Sequence, residues 1–412
     1  MKEKIKIENF GGIKNVEFEL RSINIIIGPQ ASGKSVSVKL IYFFKGFISE
    51  IFESILNNEK EKDLKTRQKE KFRKYFPKES WPSGAFNIQY SIQDDYIKIE
   101  KSRNKPITFK YSSSFKQILT KGKEIFKNEQ NKIAGHLDLS NIVYNNAQIQ
   151  YKETVSKVIN DVLVNQQYFV PAGRSFFSNL QSNIYSFIKN NISIEPFMAE
   201  FGSFYENIKA IYLKQTPPNN IKESFDVLIS EVIGGTFLRE AEKDYIIHQD
   251  NRKVNLSHAS SGQQEILPLT LILKVLGEAY NNATLYIEEP EAHLFPTAQK
   301  KVVQLLARTF NSNRSSFQII ITTHSPYILS SFNNLLEAGK IIEEQPNQQE
   351  KVFNVIPKEE VLHTKYLAVY SLFNGEKKNL IDKETKLISQ NILDAVSDEL
   401  SVNFGKLLDI EY

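Results

Sequence analysis

The chain has 412 residues, 41% hydrophobic and 24% charged, a balance that supplies a large core and excludes a disordered or fibrous protein. A formal net charge of +4 permits an anionic partner without demanding one, and the absence of cysteine excludes disulfides and thiolate metal sites. The densest apolar run, 36–51, is interrupted by Lys39 and Lys45, so no membrane span is expected. The opening MKEKIKIENF has no apolar region of the secretory type, and the expectation is a soluble cytoplasmic protein.

In chain order, "IKIENF" and "VEFEL" alternate apolar and polar residues around Gly11-Gly12 and predict a half-buried hairpin. "INIII" is a continuous β-branched run, the pattern of a strand covered on both faces. A helix is predicted from Gly33 to about Asn57, with Val36, Leu40, Phe43, Phe44 and Phe47 inward. Residues 58–80 form a charge run that reads either as a solvated helix face or, since basic residues outnumber acids, as a strip for nucleic acid. Three alternating runs within 85–111 predict an antiparallel meander, and 115–165 reads as helical.

"YFVPAGRS" (168–175) predicts a strand stopped at Pro171, followed by helix from about Phe176 to Ile233, broken near 215–220. Short strands follow at "TFLREAE", "YIIHQ" and "KVNL". Then come a helix (264–281), a strand "TLYIEEP", a helix from Pro296, a strand "FQIIITTHSP" and a helix from Tyr327. In the tail, strands are predicted at "VFNVI" and "YLAVYSLF", with two acidic helices after them. Buried apolar strands alternating with helices give an α/β class.

Four stretches carry chemistry. "GPQASGKS" matches G-x-x-x-x-G-K-[ST] after a buried strand and at the start of a helix, the setting of a phosphate-binding P-loop. Gly28, Pro29, Gln30, Ala31, Ser32, Gly33, Lys34 and Ser35 form the ATP-binding stretch, in which the backbone N–H groups of residues 30–35 would wrap the β-phosphate. Lys34 would bridge the β- and γ-phosphates, and the Ser35 hydroxyl would hold Mg2+. A P-loop also needs an acidic residue on a neighbouring strand to hold the metal's water shell, and Glu288 and Glu289 end the strand of "TLYIEEPEAHLFP", at the edge where open parallel sheets bind ligands. Neighbouring strand residues face opposite ways, so Glu288 is assigned to Mg2+ and Glu289 to the attacking water.

In "IIITTHSP", His324 reads alone as a satisfied hydrogen-bonding residue, and beside the other motifs as a reporter on the γ-phosphate. Ser260, Ser261 and Gly262 precede a helix. They either cap it or form a second phosphate loop, which would serve the ATP of another subunit because residues 28–35 already enclose one nucleotide.

With these motifs in this order, the chain resembles the ABC/SMC/Rad50 branch of P-loop ATPases. It is most similar to the OLD and RecF-like AAA-family ATPases of prokaryotic defence systems. The resemblance covers most of residues 1–330, through "IENFGGIKN", "GPQASGKS", "ASSGQQE", "IEEPEAHLFP" and "ITTHSP". It implies an ABC-type P-loop NTPase head with an antiparallel β subdomain and an inserted helical lobe. The implied segments are an N-terminal ATPase lobe (1–111), a mainly helical insertion (112–255), a C-terminal ATPase lobe (256–345) and an α/β tail (346–412).

By position, the resemblance makes Lys34 and Ser35 the Walker A pair, and Glu288 and Glu289 the Walker B acid and base. Ser261-Gly262 becomes the signature, Glu291 to His293 the D-loop and His324 the switch histidine. Glu288 stands where the family usually has aspartate, and Gln263 where it has a second signature glycine. Gln166 and Gln167 precede their strand and make a poor Q-loop. Arg174 is the better-placed residue, to reach phosphate, to couple to the helical lobe, or to make a surface ion pair. No TOPRIM nuclease segment is found, so no DNA cleavage is assigned. The implied protein is an ATP-hydrolysing switch in a homodimer or larger homo-oligomer, acting on a separate effector in phage defence. A RecF-like DNA-binding factor is the alternative, and an ATP-binding scaffold without turnover is a third.

Overall fold

Alternating apolar residues build the first strands of the computed structural model, which describes residues 3–132, 140–159, 161–177, 194–214, 222–241, 243–279, 282–314, 317–389, 402–404 and 406. β1 (Glu3–Phe10) and β2 (Ile13–Leu20) form the expected hairpin, in register Ile7 opposite Val16. β4 (Phe86–Ile92), β5 (Asp95–Lys101) and β6 (Thr108–Tyr111) complete a five-stranded antiparallel sheet in the order β2-β1-β4-β5-β6.

The fully buried strand β3 (Ile23–Ile27) belongs to a second sheet of six strands, β14-β13-β3-β12-β11-β7. Its other members are β7 (Gln166–Val170), β11 (Ala283–Glu288), β12 (Phe317–Thr323), β13 (Leu367–Phe373) and β14 (Glu376–Asn379). All but β14 run parallel, so their carboxyl ends gather on one edge. This sheet draws a strand or more from each of the four segments expected from the sequence, including β7 from the mainly helical one.

Alternate residues of each parallel strand enter different cores. Ile26, Tyr286 and Ile320 face the five-stranded sheet and the helices α1 (Lys34–Lys45) and α2 (Phe47–Leu56). Ile25, Ile27, Leu285, Ile287, Ile319 and Ile321 face the other way. There they meet α6 (Pro196–Lys214), α7 (Lys222–Ile233), α8 (Ser261–Glu278), α9 (Pro296–Ser312) and α10 (Pro326–Glu344). A strand with apolar cover on both sides has no polar face to show, which is why β3, β11 and β12 read as continuous apolar runs.

A third, small antiparallel sheet, β10-β9-β8, contains Thr236–Glu240 (β8), Lys243–Ile247 (β9) and Lys253–Asn255 (β10), matching the three short runs in the sequence. The long helix α3 (Glu61–Tyr75) holds the charge run, while α4 (Ser113–Lys132) and α5 (Ser140–Val158) occupy the expected helical stretch.

Three expectations change. The helix predicted through Asn57 is split at Gly46, the residue type with the weakest helix preference after proline. "VFNVI" is not a strand, since α11 (Gln349–Phe353) covers its start. Val352 and Ile356 are four residues apart, so one helical face turns both towards Ala338 of α10. The polar "EKKN" of β14 pairs antiparallel with β13, where no strand was expected. The acidic helices predicted for the last residues lie largely outside the described residues. Among the described residues no helix is long and apolar enough to cross a membrane.

Candidate functional site

The loop 28–33 joins the carboxyl end of β3 to the start of α1. Ala31 (φ 58°) and Gly33 (φ 97°) are both left-handed, and they turn the chain sharply enough to point the helix start into the loop. A side chain at Gly33 would meet Ile13 Cγ1 at 2.7 Å and the Gly11 carbonyl at 3.1 Å, so the hairpin turn forces glycine here. A Cβ at Gly28 would lie 2.2 Å from the Leu372 carbonyl, so β13 presses the first glycine from the other flank.

The N-terminus of α1 has no side-chain cap and no acid in its first turn, leaving its N–H groups and dipole open to an anion. Lys34 Nζ donates to the carbonyls of Gly28 (2.8 Å) and Pro29 (2.7 Å), curling back over the loop. Burial lowers its pKa from the ordinary lysine value, opposed by the charges of Glu289 and Glu291. Ser32 Oγ is buried without a hydrogen-bond partner. These features fit a polyphosphate.

Glu288 is the last residue of β11 and is 5% exposed. Burial raises its pKa above the ordinary carboxylate value; nearby Lys39, the Ser35 hydroxyl and the Ala172 N–H pull the other way. One oxygen accepts from Ala172 N at 3.4 Å, while Oε1 is buried with no partner. A buried carboxylate with an idle oxygen beside a serine hydroxyl fits a hard divalent cation such as Mg2+. The extra methylene of glutamate does not keep Glu288 from reaching the neighbourhood of Ser35.

Glu289 leaves the strand in the left-handed region (φ 46°), its N–H donating to the Thr322 carbonyl at 2.9 Å. Its Oε1 lies 3.1 Å from His324 Nε2, and His324 Nδ1 lies 3.5 Å from Lys34 Nζ. Thus Lys34, Glu289 and His324, separated widely in sequence, form one chain of contacts at the carboxyl edge of the sheet. Glu291 braces it by accepting from Thr323 Oγ1 (2.8 Å) and the His324 N–H (2.6 Å). His324 is therefore a hydrogen-bonded histidine and also a neighbour of the P-loop lysine.

Ser260 is the N-cap of α8. Its hydroxyl accepts from Gln263 N (3.3 Å), and Gln263 Oε1 accepts from Ser260 N (3.2 Å), a reciprocal capping box. The Gln263 amide also donates to the Ile233 carbonyl at 2.7 Å, which gives the residue replacing a signature glycine a structural task. Ser260 and Ser261 are exposed. A Cβ on Gly262 would lie 2.8 Å from the His293 carbonyl, so this turn packs on the Glu291–His293 loop. Among the described residues no hydrogen bond joins 260–262 to 28–35 of the same chain.

Gln166 and Gln167 begin β7, at the opposite edge of the sheet from the P-loop, and Gln167 accepts from Tyr286 OH at 2.7 Å. Arg174 is not the residue of a surface ion pair. It is wholly buried and pairs with Glu265 of α8, a residue that sequence reasoning passed over inside the apolar run of α8.

A family model described as "AAA domain, putative AbiEii toxin, Type IV TA system" matches residues 23–330, from the first residue of β3 into the helix after His324. That span is 308 (330 − 23 + 1) of the 412 residues. The chain belongs to this family. It is a P-loop ATPase of the AAA-domain kind.

Solved structures similar over nearly the whole chain include the SMC head domain from Thermotoga maritima (13% identity, 92% of this chain, 98% of that one, TM-score 0.37). Others are an SmcHead bound to the C-winged helix domain of ScpA (13%, 92%, 96%, 0.41) and the recombination mediator RecF–ATPrS (13%, 92%, 98%, 0.31). At these scores the likeness bears on nothing beyond general architecture. No curated protein matches the chain.

Proposed function

We propose that this AAA-domain protein is an ATP-hydrolysing switch in which ATP draws two copies together head to tail. Each P-loop is then closed by the Ser261-Gly262 turn of the other copy. The observation that carries the reading is the joining of Lys34, His324 and Glu289 into one contact chain beside the half-buried Ser35 and the buried Glu288.

Gly28 to Ser35 hold the phosphates, and Lys34 gives up its loop carbonyls to reach them. Ser35 and Glu288 hold Mg2+, which when bound offsets phosphate charge and polarises the bond to be broken. Glu289 orients the attacking water and receives its proton, with His324 fixing the carboxylate and sensing the γ-phosphate. The exposed Ser261 hydroxyl and the N-terminus of α8 supply donors to a second copy's phosphates.

The family description, which names a putative toxin of a toxin–antitoxin system, supports an ATPase component of an anti-phage defence system acting on a separate effector. The DNA-binding alternative loses part of its support in α3, where Arg67 pairs with Glu50, Glu53 and Glu59, Lys71 with Glu50 and Lys65 with Glu61, so three of the nine basic residues of 58–80 already face acids of the chain.

Solution mass of Glu289→Gln with and without Mg2+–ATP tests the reading. A step to the mass of a pair only with nucleotide is the expected result. A mass indifferent to bound ATP would refute closure by the 260–262 turn.

A further inference from the structure

Arg174 lies just beyond the end of β7 with its side chain fully buried, and it reaches three separate pieces of the site. Its Nη1 donates to the carbonyls of Pro171 (3.1 Å) and Glu288 (2.8 Å), and Nη2 donates to the Glu289 carbonyl (3.1 Å). Nε donates to the backbone carbonyl of Glu265 at 3.0 Å and lies 3.3 Å from its carboxylate. That carboxylate accepts in turn from the N–H groups of Arg174 (2.9 Å) and Ser175 (2.8 Å).

Two facts make this more than a buried pair. Glu265 is one helical turn beyond Ser261, on the same face of α8, so it moves with the exposed 260–262 turn. Glu289 has a left-handed backbone, a conformation that persists in a non-glycine residue only when its surroundings hold it there. Its N–H is held by the Thr322 carbonyl, and its carbonyl accepts from the Ala292 N–H (3.0 Å) and from Arg174, the one of these partners that also reaches α8. The guanidinium that grips α8 is thus one of the three groups that fix the Glu289 backbone and with it the direction of its carboxylate towards His324.

We propose that Arg174 is a positioning residue that transmits contact at the 260–262 turn to the backbone of Glu289, so that engaging the neighbour's ATP sets the carboxylate serving the chain's own. This rests on the shared-site reading above. The planar fork is essential, because a lysine ammonium cannot address acceptors on β11, α8 and the 171–173 turn together.

The test compares wild type with Arg174→Lys and with the double variant Arg174→Met/Glu265→Met. The double variant removes both buried charges and preserves much of the volume, a replacement that folded proteins tolerate. Thermal melting first establishes that each is folded. Affinity for a non-hydrolysable ATP analogue, ATP-dependent association, and hydrolysis rate per protomer across the association range are then measured.

For wild type the rate per protomer is expected to climb on the order of tenfold as pairs form. Both variants are expected to bind nucleotide within about threefold of wild type and to associate over the same range, with a rate that stays at its unassociated level. A folded variant whose rate climbs in step with wild type overturns the proposal. A wild type that binds nucleotide without associating overturns the shared-site reading itself, and the transmission with it.

Discussion

Glu288→Gln should make the nucleotide-free protein more stable while disabling it. Glu288 is 5% exposed, with one oxygen unpartnered and the other held by a 3.4 Å contact from Ala172 N. An unsatisfied buried polar group costs about 1–3 kcal/mol, more when charged; glutamine keeps the polar atoms and removes only the excess due to charge, and Lys39 and Ser35 already return part of that, so a net gain of about 1 kcal/mol is expected for the neutral isostere. The sign of the pH dependence follows from the raised folded-state pKa. The folded protein binds this proton more tightly than the unfolded chain, so the wild type gains stability from the group as pH falls through the raised value. The glutamine variant gains nothing there, and the gap between the two should close on acidification. Urea unfolding in EDTA at about pH 8 and about pH 5 reads both effects. With saturating Mg2+–ATP the order reverses, because binding at a hundred times Kd adds about 2.7 kcal/mol to the wild type and little to the variant. A variant less stable than wild type in EDTA near pH 8 would refute the reasoning.

Glu289→Gln should retain Mg2+–ATP binding and lose on the order of 10²–10⁴ in turnover, whereas Lys34→Ala should lose binding; equilibrium binding and phosphate release separate the two. Gly33→Ala adds a Cβ 2.7 Å from Ile13 at φ 97°, and titration should show ATP affinity weakened at least about tenfold. Lys45→Met should cost about 3–5 kcal/mol in a urea melt, since it strands the buried Glu3 that Lys45 meets at 2.8 Å; Glu3→Gln in the same chain should recover part of the loss.

What could be read in advance was what phosphate chemistry fixes at short range. Gly28 to Ser35 must follow a strand and open a helix, and Glu288, Glu289 and His324 must end strands, so spacing and hydrophobic runs betrayed them. Arg174 was misjudged because nothing local marks a guanidinium as buried. Its partners Glu265, Glu288 and Glu289 lie far along the chain, and only the packing of α8 against β11 brings them together. The edge strand β14 was missed because "EKKN" has no apolar alternation, its place being set by pairing with β13. "VFNVI" misled through its valines and isoleucine, which favour strands, whereas here α11 takes up Val352 and Phe353 and a backbone hydrogen bond from Ile356 N–H to the Val352 carbonyl continues the turn.

β3 receives its two neighbours from the far end of the chain, β12 at 317–323 and β13 at 367–373. On a ribosome the P-loop strand emerges early and then waits, unpaired on both edges, while about three hundred residues are made. The nascent chain cannot complete an ATP site until β12 delivers His324 and β13 seats its backbone against Gly28. On the proposed reading, competence to bind nucleotide waits until residue 373 has been made, and chains broken off before residue 367 leave an apolar strand edge for chaperones and proteases to recognise.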